Sequence, residues 1–166
     1  HVLILSGDHI YRMDYAAMLD FHKRSGGVAT VATMQVPLSE ASAFGVVKSD
    51  AKQQIVKFME KPSRPETMAL NRQVALASMG IYVFSIDTLC DALEADAKRE
   101  KSDHDFGKDL LPRLIRERTV FSYQFGTESG RVISDQYWRD VGTLDSYYRA
   151  NLDLLQTPTP MDLYQP

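Results

Sequence analysis

Three short stretches place carboxylates where chemistry could be done. Near the start, Val2-Leu3-Ile4-Leu5 runs into Ser6-Gly7-Asp8-His9. An apolar run followed by a glycine-loosened turn reads as a strand buried on both faces that delivers Asp8 at its C-terminal end. Open α/β sheets bind ligands outside those ends. An ionised aspartate is acceptor-only and suits a hard cation carrying phosphate oxygens, but Asp after a strand is also common turn chemistry. On the residues alone both uses stay open.

Glu60-Lys61-Pro62 closes a second apolar segment, and the proline stops any ladder there. Glutamate accepts from vicinal sugar hydroxyls and lysine is a point charge for a phosphate, although a solvated pair at a strand end reads the same way. Trp138-Arg139-Asp140 precedes Val141-Gly142 and supplies an apolar plate able to cover a sugar, with a second carboxylate close to a glycine. A buried tryptophan beside a turn aspartate is the plainer alternative. His9 and His104 lack a partner at metal-ligand spacing and read as hydrogen-bonding residues. The sequence has no Gly-x-Ser-x-Gly and no P-loop.

The elements that must hold these residues can be read from periodicity. Asp14 caps a helix to about Arg24, with Tyr15, Met18, Leu19 and His22 on one face and Gly26-Gly27 ending it. A strand from Val28 to Val36 completes a βαβ unit. Residues 44–48 and 55–60 form a hairpin about the turn Asp50 to Gln53, which makes the sheet mixed. Residues 62 to 74 form a loop long enough to cover a site. Ala75 to Phe84 is a strand in which Ser78 and Gly80 suggest close approach of a ligand or of backbone. A helix from about Asp87 to Arg99 should bury Leu89, Leu93 and Ala97, and a second around Lys108 to Glu117 should kink or restart at Pro112. Thr119 to Phe125 is a strand, and Gly126 to Ser134 a loop. Thr143 caps a closing helix through Leu155, with Leu144, Tyr147, Tyr148, Leu152 and Leu155 available for its buried side. The fold class is therefore α/β: a mixed, mostly parallel doubly wound sheet with helices on both faces, incomplete at the N-terminus because the chain starts within a strand.

Composition narrows the function classes. The 166 residues are 44% apolar and 25% charged, ordinary for a globular domain. A net charge of -3 with 19 scattered cationic residues offers no footprint for nucleic acid or an anionic membrane. One cysteine, Cys90, allows no internal disulfide, and the absence of a signal-like or long apolar run makes the cytoplasm the expected compartment.

The motifs SGDHIYRMDY (6–15), EASAFGVV (40–47), FMEKPSRP (58–65), ASMGIYVF (77–84), SDHDFGKDLLP (102–112) and YWRDVGTLDSYYRANLDL (137–154) occur in that order. Together they resemble the bacterial glucose-1-phosphate adenylyltransferases, also called ADP-glucose pyrophosphorylases, over residues 1 to about 160. The resemblance implies a Rossmann-like nucleotidyltransferase domain that joins ATP and glucose 1-phosphate into ADP-glucose and pyrophosphate for glycogen synthesis. It implies that Asp8 and Asp140 are catalytic and hold Mg2+. Glu60 and Lys61 would bind the glucose and its phosphate, Gly45 and Ser78 would line the sugar-nucleotide pocket, and Trp138 and Asp105 would lie around it. It further implies that 1–155 is the C-terminal portion of the catalytic domain, and that 156–166 link it to a regulatory β-helix outside this chain, in an allosteric homotetramer. A UTP- or dTTP-using relative and a non-catalytic regulatory subunit are the rival readings.

Overall fold

The computed structural model describes residues 1–69, 71–126, 136–161 and 163. A six-stranded sheet is built from β1 (Val2–Ile4), β3 (Ala29–Pro37), β4 (Val46–Ser49), β5 (Ile55–Met59), β6 (Val74–Phe84) and β7 (Val120–Gln124), and a separate ribbon pairs β2 (His9–Tyr11) with β8 (Trp138–Asp140). The sheet runs β5-β4-β6-β3-β7, with β1 also paired to β6. Helix α1 (Tyr15–Ser25) contributes Met18 to the core on one face, whereas α2 (Ile86–Ala97) and α3 (Leu111–Glu117) contribute Leu89, Leu111 and Leu114 to the core on the other. Helix α4 (Leu144–Asp153) closes the described fold.

The long strand β6 organises the sheet because its alternate side chains are apolar on both faces. Ala75, Ala77, Met79, Ile81 and Val83 join one core, and Leu76, Tyr82 and Phe84 the other. That two-sided burial is what a central strand needs. Both β1 and β3 run antiparallel to β6 on its opposite edges, so they are parallel to each other, joined by α1 in a crossover with β6 between them. At Gly80 the β3 register slips between Val31 and Thr33, and Gly80 takes φ +67, a conformation that glycine adopts without strain.

Local chemistry sets most boundaries. Asp14 Oδ1 accepts from Ala17 N at 3.0 Å to start α1, and Gly26 at φ +71 ends it. In the β4–β5 hairpin, Asp50 Oδ1 accepts from Lys52 N and Gln54 N. Pro112 falls in the first turn of α3, where a missing N–H costs nothing, after a π-helical turn at Phe106–Leu110; the chain restarts there as expected. Among the described residues no helix is long and apolar enough to cross a membrane.

Several expectations are corrected. The sheet is mixed α/β, but of its five pairings among the described residues only β3–β7 is parallel. The reason is that β6 enters between β1 and β3 against both. Strand β1 is not buried on both faces: Val2 and Ile4 pack against one core, whereas Leu3 and Leu5, on the opposite face, are 40% and 45% exposed. On α2, Leu89 is buried while Leu93 and Ala97 are exposed, and the buried residue near its end is Asp96. On α4 the expected buried side is inverted. Leu144, Tyr147, Tyr148, Leu152 and Leu155 are all exposed, and Ala150 and Asp153 are buried, because Asp153 is drawn inward by Tyr137 and Arg139. The loop expected from Gly126 to Ser134 lies outside the described residues beyond Gly126.

Candidate active site

The β2–β8 ribbon does what neither motif could do alone. Its register sets His9 opposite Asp140 and Tyr11 opposite Trp138, so Asp8 and Asp140, 132 positions apart in sequence, meet at one end of the ribbon. Ligand atoms of Asp8, His9 and Asp140 all lie within 4.8 Å of one another. Ser6 Oγ donates to Asp8 Oδ1 at 2.8 Å, Gly142 N donates to Asp140 Oδ1 at 2.9 Å, and Val141 N donates to the Asp8 carbonyl at 2.9 Å. A Cβ at Gly142 would stand 3.1 Å from Asp140 Oδ1 and 3.2 Å from Asp8 Oδ2, so glycine keeps open the space between the two carboxylates.

His9 belongs to this group in a supporting role. Trp138 Nε1, which can only donate, lies 3.3 Å from His9 Nδ1. A neutral His9 therefore carries its proton on Nε2, the atom 3.7 Å from Asp8 Oδ1 and 3.9 Å from Asp140 Oδ2. At those distances Nε2 makes no hydrogen bond to either carboxylate, and the ring stands within ligand range of both, a juxtaposition that residue spacing in the sequence did not show. Two carboxylates with an open space between them are a donor set that fits a hard divalent cation.

The second half of the site is centred on Glu60. Lys61 follows it at φ +43, and Lys61 N donates to the Phe44 carbonyl at 3.1 Å, which turns the chain out of β5. Gly45 and Gly107 press on Glu60 from two elements: a Cβ at Gly45 would stand 3.0 Å from Glu60 Oε2, and one at Gly107 would overlap that oxygen. Asp105 caps the π-helical turn, its Oδ1 accepting from Gly107 N at 2.8 Å and Lys108 N at 2.9 Å. Burial first, and then the charge of Asp105, push the Glu60 carboxyl above its usual range, against the opposing pull of Lys61 and Lys108.

The two halves are joined through β6 and Trp138. Ser78 N donates to the Gly45 carbonyl at 2.7 Å, Gly80 N reaches Ser78 Oγ at 3.4 Å, and a Cβ at Gly80 would stand 3.4 Å from both Ser6 Cβ and His9 Cε1. The expected close approach is thus of the Gly45 backbone at Ser78, and of the Ser6 and His9 side chains at Gly80. Trp138 is 8% exposed, with ring centroids 5.3 Å from His9 and 5.0 Å from Phe44. It braces both halves from behind. It also lines, with Gln35, Glu40, Asp140 and Arg149, a cavity of about 520 Å³.

Sequence reasoning singled out the carboxylates but not the glycines that shape their surroundings. Gly107 and Gly142 each lie two residues after an aspartate they crowd, a spacing visible in the sequence only once the aspartates are placed. Tyr82 was also missed. It stacks on Phe106 at 5.6 Å and 13°, and burial chiefly raises its hydroxyl pKa, against the opposing influence of Ser78.

The fold is thus a mixed sheet with helices on both faces, and two carboxylates meet beyond the end of β1. The family model for nucleotidyl transferases matches residues 1–157, and the chain belongs to that family. Among similar proteins, glucose-1-phosphate adenylyltransferase 2 of Vibrio parahaemolyticus is 54% identical over 165 residues, covering 99% of this chain and 41% of the relative. Glucose-1-phosphate adenylyltransferase 2 of Vibrio cholerae is 55% identical, with 99% and 40% covered, and the glucose-1-phosphate adenylyltransferase of Pectobacterium carotovorum is 49% identical, with 99% and 39% covered. The chain thus spans about two fifths of the length of these relatives.

Proposed function

We propose that the protein transfers the AMP moiety of ATP to glucose 1-phosphate, giving ADP-glucose and pyrophosphate for glycogen synthesis in the cytoplasm. The observation that carries the reading is the meeting of Asp8 and Asp140 across the β2–β8 ribbon, linked through Ser78 and Gly80 to the Glu60–Lys61 corner. The names of the similar proteins supply the substrates.

In this reading an oxygen of the sugar phosphate attacks the α-phosphorus of ATP in line. A new P–O bond forms as the bond from the α-phosphorus to the bridging oxygen breaks, and that oxygen leaves with pyrophosphate. No covalent enzyme intermediate is needed, so the protein's work is alignment and charge neutralisation. Asp8 and Asp140 are the residues that would hold Mg2+, whose chemistry is to neutralise charge on the nucleotide and sugar phosphates. Lys61 Nζ faces the remaining oxygens of the attacking phosphate. Glu60, confined by Gly45 and Gly107, accepts from hydroxyls of the glucose ring and so fixes its rotation. Ser78 and Gly45 form the floor between them, and Trp138 stiffens it. Residues 1–155 act in this reading as part of the catalytic domain, with 156–166 leading onward, in a homotetrameric, allosterically regulated enzyme.

The test is pyrophosphate release by the full-length protein from glucose 1-phosphate with ATP, UTP or dTTP in turn. Turnover should be fastest with ATP by at least about tenfold in kcat/KM. A preference for UTP or dTTP, or no release with any of them, would overturn the assignment.

A further inference from the structure

The loop that presents Asp105 is fastened at its back by a carboxylate with no place in the proposed chemistry. Asp96 lies in the last turn of α2 with its side chain 5% exposed. The helix dipole opposes a negative charge at that end, and burial opposes it further, so donors must compensate. They come from the loop. His104 Nδ1 lies 2.8 Å from Asp96 Oδ2, Ser102 Oγ reaches the two carboxylate oxygens at 2.8 and 2.9 Å, and Arg99 Nη1 reaches Oδ1 at 3.4 Å. These partners hold the Asp96 carboxyl below its usual pKa, the His104 hydrogen bond most of all. An ionised carboxylate only accepts, so the Nδ1 of His104 carries a proton.

His104 itself takes φ +56, a left-handed backbone that is strained for a residue with a Cβ and persists only where surroundings enforce it. The strain has a directional consequence. It sends the imidazole back to Asp96 while the next residue, Asp105, turns forward to cap the π-helical turn that seats Gly107 against Glu60. His104 N also donates to Ser102 Oγ at 3.1 Å, which closes the clasp on itself.

We propose that Asp96 and His104 are positioning residues for the sugar-phosphate half of the site: their hydrogen bond holds the 98–105 loop in the conformation that sets Asp105 and Gly107 against Glu60. This rests on the function proposed above, and the clasp itself has a readout that does not need turnover.

The experiment uses the full-length protein with His104→Gly, His104→Asn and Asp96→Asn. Glycine accepts the left-handed backbone but removes the ring. Asparagine tolerates that backbone and places Nδ2 at the branch point where His104 has Nδ1, so it can restore the bond. With His104→Gly and with Asp96→Asn the KM for glucose 1-phosphate should rise by about tenfold while the KM for ATP changes less than about twofold, and His104→Asn should recover most of the loss. Backbone amide exchange at Gly107 and Lys108 should accelerate by about tenfold in His104→Gly without ligand. Unchanged exchange at those amides, an equal rise in both KM values, or no rescue by asparagine would overturn the clasp. If the unsubstituted protein shows no turnover with any nucleotide, the functional reading fails, and the exchange result alone decides the clasp.

Discussion

Replacing Gly107 by alanine should damage catalysis while leaving the fold intact. A Cβ there would overlap Glu60 Oε2, lie 3.0 Å from Glu60 Cδ and stand 3.3 Å from Asp105 Oδ1. Ordinary carbon contacts are about 3.5–4.0 Å, so the carboxylate head must retreat by roughly 0.5–1 Å. It has little room, because Gly45 walls its other side and Phe58 stands next to that glycine. The backbone itself accepts the change. Gly107 lies outside the left-handed region, and alanine is the better residue in a helical turn by about 1 kcal/mol. A misplacement near 1 Å at a group that orients substrate can cost about 10²-fold. Gly107→Ala should therefore lower kcat/KM for glucose 1-phosphate by about 10- to 100-fold, with the melting temperature within about 3 °C of the parent. Steady-state kinetics varying each substrate, with calorimetry on the same samples, would measure both. Unchanged kcat/KM would show that Glu60 does not orient the sugar, and a collapse in melting temperature would show that its confinement is only packing.

Other consequences follow from the same geometry. Lys61→Ala should raise the KM for glucose 1-phosphate by about one to two orders of magnitude, as for a lost charge-assisted contact, with the KM for ATP moving far less; equal changes would indicate misfolding. Gly142→Ala inserts a methyl group between Asp8 and Asp140 and should raise the magnesium concentration for half-maximal activity by about tenfold, read from a magnesium titration at saturating substrates. Because the folded pKa of Glu60 is raised, ionising it costs the folded state above that pKa and nothing below the unfolded value near 4.3. Glu60→Gln should accordingly raise the melting temperature at neutral pH by about 2 °C and lose that advantage as pH falls towards 4. An advantage that persists or grows in acid would contradict the sign of the shift.

How much of this was legible in the sequence differs by level. Helix α1, the β4–β5 hairpin and the restart at Pro112 were readable because each is decided by a local device: the Asp14 cap, the Asp50 turn and the proline's missing N–H. The failures came where tertiary context overrides pattern. The apolar run at β1 looks like a central strand, yet Leu3 and Leu5 face solvent, since an apolar run does not reveal whether both faces are covered by a packed layer. On α2 and α4 the helical stripe of leucines and tyrosines suggested a buried side, but Asp96 and Asp153 are the residues drawn inward, each by donors from another segment. Such long-range pairings leave no periodic trace. The site was legible residue by residue and illegible in its shape. Asp8, Glu60, Lys61 and Asp140 stand out by type and neighbours, but the β2–β8 pairing that joins the first to the last rests on two three-residue strands too short to recognise.

The claim on which the rest depends is that Asp8 and Asp140 form one charged site. Asp8→Asn keeps the size of the side chain and an oxygen to accept from Ser6 Oγ, and removes the charge. Measured in the full-length protein at saturating magnesium, ATP and glucose 1-phosphate, its kcat should fall by at least about 10³-fold, a loss of roughly 4 kcal/mol of transition-state stabilisation, with little change in melting temperature. If Asp8 only shapes a turn, asparagine serves nearly as well. Near-normal turnover by Asp8→Asn would contradict the account and leave Asp140 as the one carboxylate of the pair with a claim on the metal.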